Sequence, residues 1–380
     1  MNGMKKNIRV IVSGGGTGGH IFPAISIANA IKEQCPEAEI LFVGAEGRME
    51  MQRVPAAGYE IIGLPVAGFD RKHLLKNISV LYKLMKSQLK ARKIIKDFKP
   101  DVAVGVGGYA SGPTLKVAGM MGIPTLLQEQ NSYAGVTNKL LAKKAEKICV
   151  AYDGMERFFE KDKIIMTGNP VRQGLVNNLT DHNYAVNSFG LDPKKKTVLI
   201  LGGSLGARTI NNCVMSHFAD IQKNDKVQFI WQTGKFYIDE ARKAAEAAGE
   251  LPMIHITDFI SDMASAYSAA DLVISRAGAG SISEFCLLRK PVILVPSPNV
   301  AEDHQTKNAL ALVQKDAALY IKDSEAEQQL IAKATDTVLQ SEVLKKLSNN
   351  IAKLAFPNSA NVIAGEVIKL AEEYRAKHEH

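Results

Sequence analysis

The sequence is sparing with cysteine. Its four, Cys35, Cys149, Cys213 and Cys286, are widely scattered and never form a CxxC pair. They read as small buried hydrophobes in a reducing compartment rather than as a metal or redox centre. Long apolar runs are missing too, none approaching the ~20 residues that span a bilayer. Residues 1–12 carry Lys5, Lys6 and Arg9 but run into glycine at Gly14 before the longer apolar stretch of a signal peptide is built. The expectation is a cytoplasmic protein. No glycine loop continues into Gly-Lys-Ser/Thr, which argues against a P-loop. Gly14-Gly15-Gly16-Thr17-Gly18-Gly19 matches GxGxxG only by glycine excess, and Glu33, Glu37 and Glu39 lie in a helix or its exit rather than at the ribose distance. That argues against a nicotinamide dehydrogenase. No DxD-type carboxylate pair stands at a strand end, so no essential metal site and no cofactor are expected.

What is present fits two ordinary domains. The chain has 380 residues, 46% apolar and 23% charged, an ordinary globular balance. A net charge of +8 and a pI near 9.1 point to anionic partners: nucleotide, nucleic acid or lipid headgroups. No nucleic-acid module or aromatic interleaving accompanies the charge, so nucleic acid is not an expected partner.

The two halves echo each other. Residues 8–13 (IRVIVS) form a buried parallel strand by pattern, followed by the first glycine loop and a helical pattern over 23–34. Residues 197–201 (TVLIL) repeat this, leading into Gly202-Gly203-Ser204-Leu205-Gly206-Ala207 and a helix starting near Arg208. Residues 101–106 (DVAVGV) lead into Gly107-Gly108-Tyr109, and residues 271–275 (DLVIS) into Gly278-Ala279-Gly280-Ser281. A proline-opened strand follows each, from Pro124 and from Pro291. Such alternation predicts an α/β fold of parallel sheets with helices on both faces, binding ligands beyond the carboxyl ends of the strands. The expected divisions are 1–172, 173–357 and a C-terminal helix over 358–380 that packs back on the first domain. The polar stretch 177–196 reads as a connection and the entry to the second domain, and helical pattern over 345–380 is interrupted at Phe356-Pro357.

Glycine between strand and helix lets backbone N–H groups approach an anion with the positive helix end behind them. His20 follows the first loop at a predicted helix start. It is either a hydrogen-bonded capping residue or a proton acceptor of a reaction centre, since a helix N-terminus disfavours imidazolium. Glu284, in Ser281-Ile282-Ser283-Glu284, is either half of a capping box or a carboxylate able to accept both hydroxyls of a ribose. Gln305 and Asn308 lie in a polar stretch whose neutral groups suit sugar hydroxyls.

Taken together, GGGTGGHIFPA (14–24), GVGGYASGP (105–113), QEQNSYAGVTNKLLA (128–142), TGNPVR (167–172), GGSLGAR (202–208), TDFI (257–260) and SRAGAGSISE (275–284) occur in the order seen in one family. From about residue 8 to 365 the chain resembles the MurG-type N-acetylglucosaminyltransferases of glycosyltransferase family 28. The resemblance implies a GT-B fold, two Rossmann-like domains facing across a cleft. It also implies inverting transfer of GlcNAc from UDP-GlcNAc to the muramoyl 4-hydroxyl of lipid I, giving lipid II for peptidoglycan and cell-wall synthesis. Carried over by motif, Ser204 would touch the diphosphate, Ile260 would present backbone to uracil, and Ala279, Gly280, Ser281, Ile282, Ser283 and Glu284 would surround phosphate and ribose. Gln305 would reach the GlcNAc hydroxyls. Thr17, Gly18 and Gly19 would approach sugar and diphosphate, with Asn131 and Arg172 completing the donor site. Acceptor contacts would fall on His20, Tyr109 and Asn131. His20 is the first choice for general base and Glu129 the second. The chain departs from the family where His304-Gln305 replaces paired glutamines. A UDP-GlcNAc 2-epimerase, which shares the architecture, is the rival reading, and a non-catalytic sugar-nucleotide binder or scaffold a third.

Residues 71–99 hold ten Lys/Arg and one acid, Asp97. On a helical wheel Leu74, Ile78, Leu81 and Met85 share a face that reads as core, while Lys76, Lys83, Lys86, Lys90 and Lys93 cluster on another. Leu75, Val80, Tyr82 and Leu84 widen the apolar arc, although Asn77-Ile78-Ser79 would interrupt a helix. The alternatives are a solvated helix and an interfacial patch on anionic lipid. The second, with the resemblance, implies a peripheral protein on the cytoplasmic face of the inner membrane, with other cell-wall synthesis proteins as further partners.

Overall fold

The computed structural model describes residues 7–66, 77–171, 174–203 and 205–378. The chain divides into two compact units, one of residues 1–172 with 357–380 and one of residues 173–356.

The first unit is built on seven parallel strands: β1 (Arg9–Ser13), β2 (Glu39–Ala45), β3 (Glu60–Leu64), β4 (Val102–Gly105), β5 (Thr125–Glu129), β6 (Lys147–Val150) and β7 (Ile164–Met166), in the order β3-β2-β1-β4-β5-β6-β7. Ser13 lies opposite Val43 on one side and Gly105 on the other. Central strands buried on both faces need apolar residues at successive positions, which is why β1 reads as a continuous run. Val10 and Val12 pack with Ile27 and Ile31 of helix Gly18–Gln34 and with Ile363 and Val367 of helix Ser359–His378. Ile11 and Val43 face the other way, toward Ala91 and Ile95 of helix Asn77–Phe98 and Leu115 of helix Ser111–Met120. Each such side chain, fully buried, contributes about 1.5–3 kcal/mol. In the last helix Ile363, Ala364, Val367, Leu370 and Ala371 are buried at helical spacing. Its end is tied down by Asp101, which accepts from Arg375 Nε (2.8 Å) and from the Arg9 backbone N–H (2.7 Å).

The second unit repeats the plan with six parallel strands: β8 (Lys196–Leu201), β9 (Val227–Gln232), β10 (Ile254–Thr257), β11 (Leu272–Ser275), β12 (Val292–Leu294) and β13 (Leu319–Tyr320), ordered β10-β9-β8-β11-β12-β13. Val198, Ile200, Phe229 and Trp231 pack with Ile210 and Val214 of helix Arg208–Ser216 and with Leu330 and Ile331 of helix Ala326–Val338. Buried Trp231 donates Nε1–H to Asn211 Oδ1 at 3.0 Å.

These are two Rossmann-like α/β units, as the alternating pattern predicts. Local departures have local causes. The first helix starts at Gly18, not near Pro23. Pro23 sits inside it as the sixth residue, past the first turn, where it forgoes one hydrogen bond to the carbonyl four residues back. The stretch 177–196 belongs to the second unit and carries a helix of its own. Asp181 caps helix His182–Ser188 by accepting from the Tyr184 N–H (3.1 Å), and Ala185 and Val186 are buried. Asn77, Ile78 and Ser79 lie in helix Asn77–Phe98 rather than interrupting one, and Met85 is 63% exposed rather than core. The buried stripe of that helix is Ser87, Ala91, Ile94 and Ile95. Leu75 and Lys76 lie outside the described residues, as do the side chains of Ile78, Val80 and Leu81.

Candidate active site

In each sheet the strand order reverses about its first strand, between β1 and β4 and between β8 and β11. Loops leaving neighbouring strands there diverge to opposite faces and open a crevice at the carboxyl edge. All four glycine loops singled out in the sequence leave these four strands.

In the first unit the loops touch. Gly15 N–H donates to Gly107 O (3.3 Å), and Gly108 lies so close that a Cβ on it would sit 2.3 Å from Gly15 O. Gly107 and Gly108 have φ of +91° and +90°, which only glycine adopts freely. A Cβ on Gly107 would fall 2.7 Å from His20 Cδ2, so this loop forms one wall of the imidazole's seat. His20 is the third residue of helix Gly18–Gln34. Its Nδ1 lies 3.2 Å from Gly15 O and 3.3 Å from Thr17 Oγ1. A carbonyl can only accept, so the bond to Gly15 O requires the proton on Nδ1, and in a neutral ring that tautomer leaves the lone pair on Nε2. Beneath the loop Glu50 is wholly buried. Its Oε2 accepts from Gly16 N–H (2.9 Å) and its Oε1 from Ala45 N–H (2.9 Å).

Glu129, the second candidate for a base, is 2% exposed. Its carboxylate accepts from Asn131 N–H (3.1 Å), Gly135 N–H (3.0 Å), Asn138 Nδ2 (2.8 Å) and, more weakly, Asn131 Nδ2 (3.4 Å). Burial raises its pKa, and these donors oppose the rise. The carboxylate thus organises the loop that carries Asn131. Below it Gln128, Gln130 and Asn169 form a buried amide network: Gln128 Nε2 donates to Asn169 Oδ1 (2.9 Å), Asn169 Nδ2 to Gln130 O (3.0 Å), and Gln130 Nε2 to Val106 O (2.8 Å). Tyr109 is 54% exposed at the same edge. Arg172 lies outside the described residues.

In the second unit the carboxyl edge holds a cavity of about 520 Å³ lined by residues including Gly202, Gly206, Arg208, Arg276, Ser297 and Gln305. Helices Arg208–Ser216 and Ala279–Leu287 both begin without a side-chain cap and without an acid in the first turn. Their positive ends suit an anion. Arg276 Nη1 donates to Val295 O (2.9 Å), to Pro296 O (3.1 Å) and to Asp323, which also accepts from Thr209 Oγ1 (2.9 Å). The guanidinium therefore ties the ends of β11 and β12 to the segment after β13. Gln305 Oε1 accepts from Ser297 N–H (2.9 Å), which turns its amide N–H₂ away from that loop as a donor. The helix carrying Glu284 has Gly278 as its N-cap, so Ser281 is already inside it and the capping-box alternative fails. Glu284 Oε2 instead accepts from the hydroxyl of buried Tyr267 (2.7 Å). Ile260 is buried just before helix Met263–Ala269. Ser204 lies outside the described residues. Asn308 is buried, with Nδ2 3.4 Å from Ala277 O.

The sequence reading passed over Glu50, Arg276 and Tyr267. Arg276 stands inside a quoted motif and its charge was available as a signal. Glu50 and Tyr267 acquire their roles only through contacts across the fold.

Among the described residues no group of three or more His, Cys, Asp or Glu side chains is placed to hold a metal, and no helix is long and apolar enough to cross a membrane.

Residues 10–150 match the model of the glycosyltransferase family 28 N-terminal domain, and residues 197–363 that of its C-terminal domain. A protein of Phocaeicola vulgatus named UDP-N-acetylglucosamine--N-acetylmuramyl-(pentapeptide) pyrophosphoryl-undecaprenol N-acetylglucosamine transferase is 80% identical, over 98% of this chain and 99% of its own. One of the same name from Bacteroides thetaiotaomicron is 72% identical over 97% of this chain and 99% of its own. The fold is similar to the crystal structure of MurG from Acinetobacter baumannii, with a TM-score of 0.77, 26% identity and coverage of 95% and 99% of the two chains. A UDP-GlcNAc 2-epimerase from Neisseria meningitidis shares the fold alone, at 15% identity, a TM-score of 0.69 and coverage of 96% and 100%. The chain therefore belongs to glycosyltransferase family 28, among the MurG-type N-acetylglucosaminyltransferases.

Proposed function

We propose that the protein moves GlcNAc from UDP-GlcNAc to the muramoyl 4-hydroxyl of lipid I, forming lipid II and UDP with inversion at the anomeric carbon. The observation that carries this reading is the cavity at the carboxyl edge of the second unit, bordered by the uncapped start of helix Arg208–Ser216 and by Arg276. Such a cavity suits a sugar diphosphate.

In this reading Ser204 and Arg172, with Thr17, Gly18 and Gly19, approach diphosphate and sugar. Backbone at Ile260 meets uracil. The turn from Ala279 through Gly280, Ser281, Ile282 and Ser283 surrounds phosphate, and Glu284, oriented by Tyr267, accepts ribose hydroxyls. Gln305 donates to a GlcNAc hydroxyl. On the acceptor side, Tyr109 and Asn131 position the muramoyl sugar, with Glu129 holding Asn131. His20 Nε2 takes the hydroxyl proton as the bond from the anomeric carbon to the diphosphate breaks. Holding nucleophile and leaving group in line, and placing fixed dipoles where charge develops on UDP, supply most of the rate. Backbone N–H groups and cations carry that stabilisation, so turnover persists in chelator.

The acceptor's lipid places the enzyme on the cytoplasmic face of the inner membrane as a peripheral protein, alongside other cell-wall synthesis proteins. The exposed side chains of Tyr82, Lys83 and Lys86, which share one face of helix Asn77–Phe98, support lipid contact. Labelled UDP-GlcNAc with a lipid I analogue should yield the disaccharide-lipid and UDP only when both are present. Conversion of UDP-GlcNAc without acceptor would favour an epimerase instead.

A further inference from the structure

The Gly15–Gly16 peptide carries one hydrogen bond at each end. Its N–H, on Gly16, donates to Glu50 Oε2 at 2.9 Å. Its C=O, on Gly15, accepts from His20 Nδ1 at 3.2 Å. No cis bond occurs among the described residues, and in a trans peptide N–H and C=O point in opposite directions. Glu50 and His20 are therefore joined through a single rigid plane, carboxylate on one side and imidazole on the other.

The arrangement is over-determined. The second oxygen of Glu50 is held by Ala45 N–H at the end of β2 (2.9 Å). Gly15 admits no side chain because its Cβ would fall 2.1 Å from Glu50 Oε1. Gly108 admits none because its Cβ would meet Gly15 O. The carboxylate is wholly buried, so its field on the peptide is screened less than it would be at the surface. A hydrogen bond from N–H to a carboxylate polarises the amide and makes its carbonyl a stronger acceptor. That strengthens the Nδ1–H bond of His20, selects the tautomer with its lone pair on Nε2 and fixes the ring plane.

We propose that Glu50 is a positioning residue for His20, acting through the Gly15–Gly16 peptide as a carboxylate acts directly on histidine in a catalytic triad. The proposal rests on His20 as the base.

The test is a double-mutant cycle on the full chain with UDP-GlcNAc and a short-chain lipid I analogue. Glu50→Gln should lower kcat roughly ten- to a hundredfold, by analogy with the loss when the outer partner of a metal-binding histidine is removed. UDP affinity and the KM for UDP-GlcNAc should change less than about twofold. In a His20→Ala background the same substitution should cost less than about twofold in kcat, because the residue it acts through is gone. Ring ¹⁵N spectra of the histidines, with the His20 signal assigned by its loss in His20→Ala, should show Nδ1–H in the parent and a mixed tautomer in Glu50→Gln. If Glu50→Gln does not fold, Glu50→Asp, which keeps the charge but is too short to reach both N–H groups, should give the same cycle with a smaller loss. Equal losses in both backgrounds, or an unchanged tautomer, would overturn the link while leaving His20 as base. Near parental turnover in His20→Ala would remove the base assignment whatever Glu50 does.

Discussion

Tyr267 donates its hydroxyl to Glu284 Oε2 at 2.7 Å, from a ring that is 1% exposed and packed edge-on against Phe285. Tyr267→Phe removes one oxygen and leaves that packing in place. A hydrogen bond to a charged group is worth about 1.5–3 kcal/mol, and part of that is recovered by water at the half-buried carboxylate. We expect UDP affinity to weaken roughly fivefold, measured calorimetrically, with a larger loss for Glu284→Ala. Unchanged affinity in both would show that the carboxylate does not meet the ribose.

Arg276 and Asp323 join separate segments after β11, β12 and β13, with side-chain exposures of 18% and 21%. Breaking a buried pair costs about 3–5 kcal/mol, and their partial exposure reduces this to about 1–3 kcal/mol. Arg276→Ala should lower the melting temperature by several degrees and weaken UDP binding at least tenfold. Arg276→Lys should restore little, because an ammonium on a flexible stem does not reproduce the guanidinium's contacts with two carbonyls and a carboxylate. A lysine variant with parental affinity would mean that charge alone matters.

At Gly108, φ is +90° and a Cβ would lie 2.3 Å from Gly15 O. Gly108→Ala must move the Gly15 peptide or the loop after β4, at a backbone cost of about 1–3 kcal/mol. Turnover should fall at least tenfold with UDP affinity retained. Equal losses of both would contradict the assignment of this loop to the acceptor side.

Burial pushes the thiols of Cys149 and Cys286 up to about 12 and that of Cys213 to about 11, from an ordinary value of 9.0. Below about pH 9 folded and unfolded chains both keep these protons. Above it the unfolded chain releases them first, so stability falls as pH rises through 9 toward 12. Urea midpoints should decline across that range, less steeply in Cys149→Ala. The native thiols should resist alkylation at pH 8. A midpoint slope identical in parent and variant would exclude the Cys149 contribution.

Lys90 Nζ lies 2.8 Å from Glu46 Oε1, whereas Lys83 and Lys86 are exposed on the same helix. At about 1 kcal/mol per basic residue near an anionic leaflet, Lys83→Ala with Lys86→Ala should reduce sedimentation with anionic vesicles at low salt roughly tenfold or more. Lys90→Ala should reduce it less. Binding indifferent to anionic lipid would exclude the electrostatic patch.

The α/β class and the four loops were legible because strand runs and glycine punctuation are local. Residues 8–13 and 197–201 read as buried strands from their own β-branched content, and Arg208 as a helix start from the loop before it. The start of the first helix was misplaced because Pro23 resembles a first-turn proline and the glycines ahead of it resemble loop. Met85 shares a wheel face with Leu74, Ile78 and Leu81, but packing selects another stripe: among the described residues of that helix Ser87, Ala91, Ile94 and Ile95 are buried.

By itself the sequence determined where the backbone can turn with positive φ, which helix ends meet a strand's carboxyl edge, and, through seven ordered motifs, the family. Only the tertiary structure decided which side chains act on those loops. Glu50 reaches Gly16 across 34 residues and Tyr267 reaches Glu284 across 17. Local period encodes the face a residue presents, but the partner it meets there is set by how separate elements pack. A carboxylate tolerates burial only where that packing supplies donors.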